Sequence, residues 1–130
     1  MSSIRLMIVD THAFFCSSAR KYLEQLVSVE KIEIVNSFKD ALLVIPEMQP
    51  DLVLVDSKVL QENNIFLDQF QRLKLSFPMM DLIALTIFHE IDEVGLLANE
   101  ASISGFIAKE NFAEELALWI NSRLKKGCGL

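Results

Sequence analysis

The sequence predicts a doubly wound α/β fold: a five-stranded parallel sheet of order 2-1-3-4-5, flanked by five helices. Short apolar runs recur along the 130-residue chain, and each is followed by a segment with apolar residues at helical spacing. Several runs are almost continuously apolar, which is typical of strands that helices cover on both faces. Right-handed crossovers and the residue count favour this strand order over others.

The five predicted strands are the apolar runs themselves. They cover Ile4–Val9, 32–35, 52–55, 82–85 and Ile103–Ala108. The five predicted helices follow them, each with one apolar face. These faces comprise Phe15, Ala19, Tyr22 and Leu26 in the first; Phe38, Ala41, Leu42 and Ile45 in the second; Phe66, Phe70, Leu73 and Phe77 in the third; Ile91, Val94, Ala98 and Ala101 in the fourth; and Phe112, Leu116, Trp119, Ile120 and Leu124 in the fifth.

Helix ends are marked by capping residues and prolines. Ser37, with Asp40 three residues on, predicts the start of the second helix. In the same helix, Pro46 is expected to cause a kink or an early end. The third helix should stop before Pro78. The fifth should start at Asn111, with Glu114 as its capping partner, and end at Gly127.

Composition limits what the protein can do. With 52% hydrophobic and 23% charged residues the chain is not disordered, and a net charge of -6 argues against nucleic-acid binding by this domain alone. The basic residues Arg123, Lys125 and Lys126 are attributed to the dipole of the last helix. No apolar run is long enough for a membrane span, and no signal peptide is recognised. We therefore expect one cytoplasmic domain over residues 1–130, with a core at about 4–126 and a frayed tail at 127–130.

Polar residues stand where four of the predicted strands end. Asp10 and Thr11 follow the first strand, Asp56 the third, Thr86 the fourth and Lys109 the fifth. In this architecture the carboxyl ends of the strands form the ligand crevice. A carboxylate there can attack phosphorus, a second can help to hold a divalent cation, and a hydroxyl and an ammonium can contact the phosphoryl group. Asp56, after the central strand, is the best candidate for the nucleophile.

Four segments carry a resemblance to a known family. They are Leu6-Met7-Ile8-Val9-Asp10-Thr11-His12, Pro50-Asp51-Leu52-Val53-Leu54-Val55-Asp56, Leu85-Thr86 and Ser104-Gly105-Phe106-Ile107-Ala108-Lys109. In this order and spacing they resemble the receiver domain of two-component response regulators, a CheY-like, flavodoxin-like fold. The resemblance extends from residue 4 to about 126.

The resemblance implies a role for each matching residue. Asp56 would accept a phosphoryl group and Asp10 would support a Mg²⁺ site. Thr86 and Lys109 would contact the phosphoryl group, and Phe106 would be the aromatic residue that reports activation. In this family Mg²⁺ would be held by Asp10, Asp56 and the backbone carbonyl of Lys58.

The sequence departs from the family pattern at the metal site. Thr11 stands where the family has a second aspartate, so we expect Mg²⁺ to bind weakly or not at all. Lys58 is interpreted as a solvated loop lysine, and the alternative is that its ammonium replaces part of the missing cation. Ile87, in place of a small residue, should narrow access to Asp56. The segment 57–64 lacks the usual proline and glycine and is interpreted as a loop.

Two functional readings remain open. In the first, a histidine kinase or phosphotransfer protein phosphorylates Asp56, and the face built from the fourth helix, fifth strand and fifth helix changes its affinity for a downstream protein. In the second, a pseudo-receiver binds a partner or forms a homodimer without phosphorylation. No enzymatic activity is expected, since phosphatase, flavin-binding and hydrolase motifs are not found. His12 and His89 are interpreted as solvated or capping residues.

Overall fold

A parallel five-stranded sheet forms the centre of the computed structural model, which describes residues 3–62, 64–87 and 102–127. Its strands are β1 (Ile4–Val9), β2 (Val29–Val35), β3 (Leu52–Asp56), β4 (Asp81–Thr86) and β5 (Ile103–Ala108). All neighbours pair in parallel, in the order β2-β1-β3-β4-β5, which confirms the predicted fold class. At the sheet edge, β2 begins at Val29 and not at the predicted residue 32, since Val29 already pairs with Ile4. The residues directly after Val29 are polar and exposed, so an apolar run does not mark this part of the strand.

Helices connect these strands. They are α1 (Ala13–Glu24), α2 (Phe38–Met48), α3 (Ser57–Glu62), α4 (Asn64–Ser76) and α5 (Phe112–Gly127). The third predicted helix corresponds to α4, and the fifth to α5. The fourth predicted helix, with Ile91, Val94, Ala98 and Ala101, lies outside the described residues, as do His89 and the tail beyond Gly127. No helix of the described ranges combines the length and apolar character that crossing a membrane requires.

The local predictions agree with the structure in part. The Ser37 hydroxyl accepts a hydrogen bond from the Asp40 N–H at 3.1 Å, which confirms that cap. Pro46 lies in the last turn of α2, which continues to Met48 and ends where Gln49 adopts a left-handed φ of 52°. The predicted start at Asn111 is wrong by one residue: a 3-10 turn covers Lys109–Asn111, and α5 begins at Phe112.

The loop predicted over 57–64 is wrong for most of its length. Residues Ser57–Glu62 form α3 directly after Asp56, and Val59 and Leu60 bury their side chains in the core. The segment contains no proline or glycine to interrupt a helix. Burial of these two apolar side chains therefore stabilises a helix at this point, and the helix places its backbone beside Asp56.

Two apolar cores lie on opposite faces of the sheet. Alternate residues of the central strands contribute to each, so that Val53 and Val55 join the core under α2 and α4 while Leu52 and Leu54 join the core under α1 and α5. The central strands are thus buried on both faces, as their continuous apolar runs predict. A sheet held on both sides offers a rigid support for polar groups at its carboxyl edge.

Arg123 belongs to the opposite, amino-terminal edge of the sheet. Its side chain is only 5% exposed, and its guanidinium lies 3.1 Å from Asp81 and 3.6 Å from Asp51. Asp51 also accepts a hydrogen bond from the Arg5 N–H at 2.8 Å. The attribution of this arginine to the helix dipole is therefore wrong: it ties α5 to the starts of β3 and β4.

Close packing of α5 on β5 leads to a stability prediction. A Cβ added at Gly105 would overlap the Trp119 ring, lying 2.9 Å from Cη2 and closer still to Cζ2. We expect Gly105→Ala to lower the free energy of unfolding by about 1–2 kcal/mol, because the ring must leave its position. Denaturant unfolding measures this. In a Trp119→Leu background, where no indole ring fills this space, Gly105→Ala should cost less stability than it does in the parent protein. An equal cost in both backgrounds would contradict the overlap.

Candidate functional site

Two buried carboxylates lie at the carboxyl edge of the sheet. Asp10 follows β1, and its N–H donates to the Val35 carbonyl at 3.1 Å, which keeps this residue aligned with the sheet. Asp56 is the last residue of β3 and pairs with Leu85 of β4. Each of the two aspartates is only 2% exposed. Because β1 and β3 are neighbours, the sheet itself brings these carboxylates together.

Lys109 neutralises part of this charge. Its Nζ lies 2.7 Å from Asp10 Oδ2 and 2.9 Å from Asp56 Oδ1, and its side chain is 10% exposed. The ammonium also lies 4.7 Å from the centroid of the Phe15 ring on α1. Burial by itself would lower the pKa of Lys109, but the contacts with Asp10 and Asp56 outweigh it and raise that pKa. The ammonium is therefore charged at neutral pH and bridges the two carboxylates.

His12 lies beside the two carboxylates, at the mouth of the site. Its Nδ1 lies 2.8 Å from Asp10 Oδ1, 3.1 Å from Lys109 Nζ and 3.9 Å from Asp56 Oδ1. The backbone N–H of His12 also donates to Asp10 Oδ1 at 2.9 Å, at the start of α1. The structure agrees with the interpretation of His12 as a solvated or capping residue, because His12 is the N-cap of α1 and its side chain is 49% exposed. It adds that the position two residues after Asp10 turns the ring toward the carboxylates.

Lys58 reaches the site through its backbone. Its N–H donates a hydrogen bond to Asp56 Oδ2 at 3.2 Å, while its side chain is exposed. The structure thus brings an N–H of α3 to the carboxylate. The metal-binding role of the Lys58 carbonyl, and the cation role of its ammonium, stay predictions.

The remaining predicted residues lie on β4, on β5 and after β1. Thr86 is buried at the end of β4, beside Ala108 of β5. Phe106 is half-buried and packs against the core under α2 and α4, three positions before Lys109 on the chain. Thr11 is exposed, and together with Asp10 and Asn36 it lines a separate cavity of about 480 Å³ between α1 and the end of β2. The structure therefore assembles Asp10, Asp56 and Lys109, with Thr86 one strand away.

The donor groups fit Mg²⁺ poorly. Mg²⁺ prefers several hard oxygen ligands in octahedral geometry. Here a neutral, exposed Thr11 stands in place of one carboxylate, and the Lys109 ammonium lies within 2.9 Å of both remaining ones. The third donor group near the two carboxylates is the His12 imidazole. The cluster can hold a cationic group between its carboxylates, and in this structure that group is an ammonium.

Comparison with curated proteins finds response regulators. The chain is 28% identical over 115 residues to the response regulator protein VraR of Staphylococcus aureus, a match that covers 88% of this chain and 54% of the relative. The chain thus spans about half the length of the curated relatives that it matches. A search against protein-family models gave no match.

Solved structures share the fold. The signal receiver domain of an HD domain-containing protein from Pseudomonas fluorescens superposes with a TM-score of 0.75 at 18% identity, covering 97% of this chain and 90% of that one. The isolated receiver domain of RcsB from Salmonella enterica serovar Typhimurium, solved in the presence of the phosphomimetic BeF₃⁻, gives a TM-score of 0.68 at 17% identity. That match covers 88% of this chain and 86% of the RcsB domain. At these identities the similarity shows a shared fold.

Proposed function

We propose, on the premise that this chain is a CheY-like receiver domain of the response-regulator type, that it accepts a phosphoryl group on Asp56 and thereby changes its affinity for a partner. The observation that supports this proposal best is the buried Asp56 carboxylate at the end of β3, held 2.9 Å from the Lys109 ammonium. A carboxylate beside a fixed cation is suited to attack on an anionic donor, because the cation offsets the repulsion between the two anions.

The proposed transfer needs only groups that lie at the site and a phosphohistidine donor. An oxygen of Asp56 attacks the phosphorus, a P–O bond forms, and the P–N bond to the donor histidine breaks. The departing imidazole keeps the bonding electron pair and takes up a proton. Lys109 then contacts an oxygen of the phosphoryl group. Before transfer the Lys58 N–H lies 3.2 Å from Asp56 Oδ2, and after transfer it can donate a hydrogen bond to the phosphoryl group on Asp56.

The proposed conformational change passes from Lys109 to the preceding strand, β5. Movement of Lys109 toward a phosphoryl group, with Thr86 turning inward, would change the space available to Phe106. The surface proposed to respond is built from β5, α5 and the segment of the fourth predicted helix. The proposed partners are a histidine kinase or phosphotransfer protein and a downstream protein in the cytoplasm. The domain acts in this proposal as a switch and turns over no substrate.

The metal requirement is proposed to be weak. Mg²⁺ would have to share Asp10 and Asp56 with the Lys109 ammonium, and Thr11 supplies no charge. The proposed transfer therefore assigns no step to a bound metal. The cation that balances the carboxylates in the proposal is Lys109.

Intact-protein mass spectrometry tests the proposal. The chain is incubated with a small acyl-phosphate donor, and the expected result is one added phosphoryl group per molecule. Asp56→Asn should abolish the adduct, because it removes the nucleophile but keeps the side-chain size. Asp68→Asn, which changes an exposed carboxylate of α4, is the matched control and should leave the yield unchanged. An adduct of equal yield in Asp56→Asn would contradict the assignment.

A pseudo-receiver is the second candidate. The observation that favours it is the closed ion-pair cluster, in which Lys109 already occupies the space between the two carboxylates. Such a domain would bind a partner or a second copy equally well before and after treatment with the phosphodonor. Equal binding together with no adduct, under conditions that phosphorylate another receiver, would favour this alternative.

A further inference from the structure

We propose that His12 contacts the phosphoryl group on Asp56 directly, through the hydrogen on its Nδ1, and stabilises that group during transfer. The inference deepens the proposed function and rests on it, because Asp56 must first receive the phosphoryl group. It adds a third donor to the Lys109 ammonium and the Lys58 N–H. It requires no metal ion and no change in the charge of the imidazole.

The position of the His12 ring places it within reach of the transferred group. Its Nδ1 lies 3.9 Å from Asp56 Oδ1, which is longer than a hydrogen bond. A phosphoryl group on this side of Asp56 projects its oxygens beyond Oδ1, into the gap between the carboxylate and the ring. The His12 side chain is 49% exposed, so the ring borders both the site and the solvent from which a donor arrives.

The neighbours of the ring assign a hydrogen to Nδ1. Asp10 Oδ1 lies 2.8 Å from this nitrogen, and Lys109 Nζ lies 3.1 Å from it. One nitrogen cannot donate to Asp10 and accept from Lys109 at once. Without a hydrogen on Nδ1, its lone pair would face a carboxylate lone pair at the shorter distance. The ammonium already contacts two carboxylate oxygens, at 2.7 and 2.9 Å, and does not need the ring as an acceptor.

The ring can turn from Asp10 to a phosphoryl oxygen without leaving Asp10 unpaired. Asp10 Oδ1 also accepts the backbone N–H of His12 at 2.9 Å, and this bond does not depend on the ring. The start of α1 does not depend on the ring either: the His12 carbonyl accepts the Cys16 N–H at 3.0 Å, and the His12 side chain makes no capping hydrogen bond. The imidazole is therefore free to change its partner.

The charge of the site gives such a donor its importance. A phosphoryl group adds about two negative charges at neutral pH. Lys109 supplies one positive charge to two carboxylates, and Thr11 supplies none. Donors aimed at the oxygens of the transferred group are what stabilise it in phosphoryl transfer. His12 donates from the start of α1, and the Lys58 N–H donates from the start of α3, so the two approach Asp56 from different elements.

Two substitutions at His12 separate hydrogen-bond donation from packing. His12→Leu keeps a similar side-chain volume but carries no polar hydrogen. His12→Asn carries an amide N–H at the same number of bonds from Cβ as Nδ1, and it does not titrate. The rate of phosphoryl adduct formation with a small acyl-phosphate donor is measured by intact-protein mass spectrometry, once with EDTA and once with Mg²⁺. Gln71→Ala, at an exposed position of α4, is the matched control.

With EDTA, we expect His12→Leu to form the adduct about tenfold more slowly than the parent, because it loses one hydrogen bond to a charged group. His12→Asn should stay within about threefold of the parent, since it keeps an N–H donor. Gln71→Ala should react at the rate of the parent. A rate of His12→Leu equal to that of the parent, or a rate of His12→Asn as low as that of His12→Leu, would overturn the inference.

Failure of the inference and failure of the proposed function give different results. An adduct that the parent forms only with Mg²⁺ would overturn the inference and leave Asp56 as the acceptor. No adduct on the parent under either condition, when another receiver reacts, would overturn the proposed function and the inference together.

Discussion

Replacing Lys109 by methionine is expected to cost about 3 kcal/mol of folding stability at neutral pH. Removal of one partner from a buried ion pair typically costs about 3–5 kcal/mol, because the other partner stays buried with its charge uncompensated. Here the remaining partners are two carboxylates, each 2% exposed. We place the loss at the lower end of this range because each carboxylate keeps a hydrogen bond from a backbone N–H, Asp10 from His12 and Asp56 from Lys58. Urea unfolding of both proteins gives the difference.

A double-mutant cycle separates the charge effect from packing. If the carboxylates are responsible, Asp10→Asn should cost less in the Lys109→Met background than in the parent protein. Lys125→Met, an exposed position of α5, is the matched control and should change stability by no more than about 0.5 kcal/mol. Simple additivity of Lys109→Met and Asp10→Asn would contradict the charge argument.

The pH dependence of this contribution has a definite sign. Because the pKa of Lys109 is raised in the folded protein, the stabilisation is fully present below the unfolded-state value of about 10.4. It is lost only as the pH rises through the folded-state pKa. On the alkaline side, the stability difference between the parent and Lys109→Met should therefore persist beyond the unfolded-state pKa and shrink only as the pH passes the folded-state pKa of Lys109.

Arg123→Met is expected to lower the free energy of unfolding by about 2–3 kcal/mol. The guanidinium is 5% exposed, and its removal leaves Asp81 and Asp51 without their shared cation. The loss is smaller than for a fully buried pair, because these carboxylates are 19% and 16% exposed and Lys74 also lies 3.6 Å from Asp81. Thermal or urea unfolding measures the change.

The matched control for Arg123 is a surface arginine. Arg20 pairs with Glu24 at 3.7 Å on the exposed face of α1, and Arg20→Met should cost less than about 0.5 kcal/mol. Arg123 lies at the opposite edge of the sheet from Asp56, so phosphoryl adduct formation by folded Arg123→Met should equal that of the parent. Equal stability losses in the two variants would show that burial of Arg123 is unimportant.

The fold was predictable because apolar runs and helical spacing report burial directly. The runs that end at Val9 and Ala108 have the predicted bounds, and the carboxylates after β1 and β3 lie together as parallel pairing requires. Contacts that depend on three-dimensional position were not predictable. Whether Arg123 faces solvent or contacts Asp51 and Asp81 depends on where α5 packs on the sheet.

Two features of the site, the helix after Asp56 and the contacts of His12, depend on three-dimensional position. The helical conformation of Ser57–Glu62 depends on core space for Val59 and Leu60, which no local pattern of that length reveals. The approach of His12 depends on the angle at which α1 leaves the sheet. Periodicity describes which face of an element is apolar, but it does not give the angle between one element and the next.

Residue-level mapping of the phosphoryl group tests the central claim most directly. After treatment with the acyl-phosphate donor, with and without Mg²⁺, borohydride reduction converts an aspartyl phosphate to homoserine, which peptide mass spectrometry locates. The account predicts homoserine at position 56, in a yield that Mg²⁺ changes little. Conversion at another aspartate, or no conversion at position 56 when another receiver is converted under the same conditions, would contradict it.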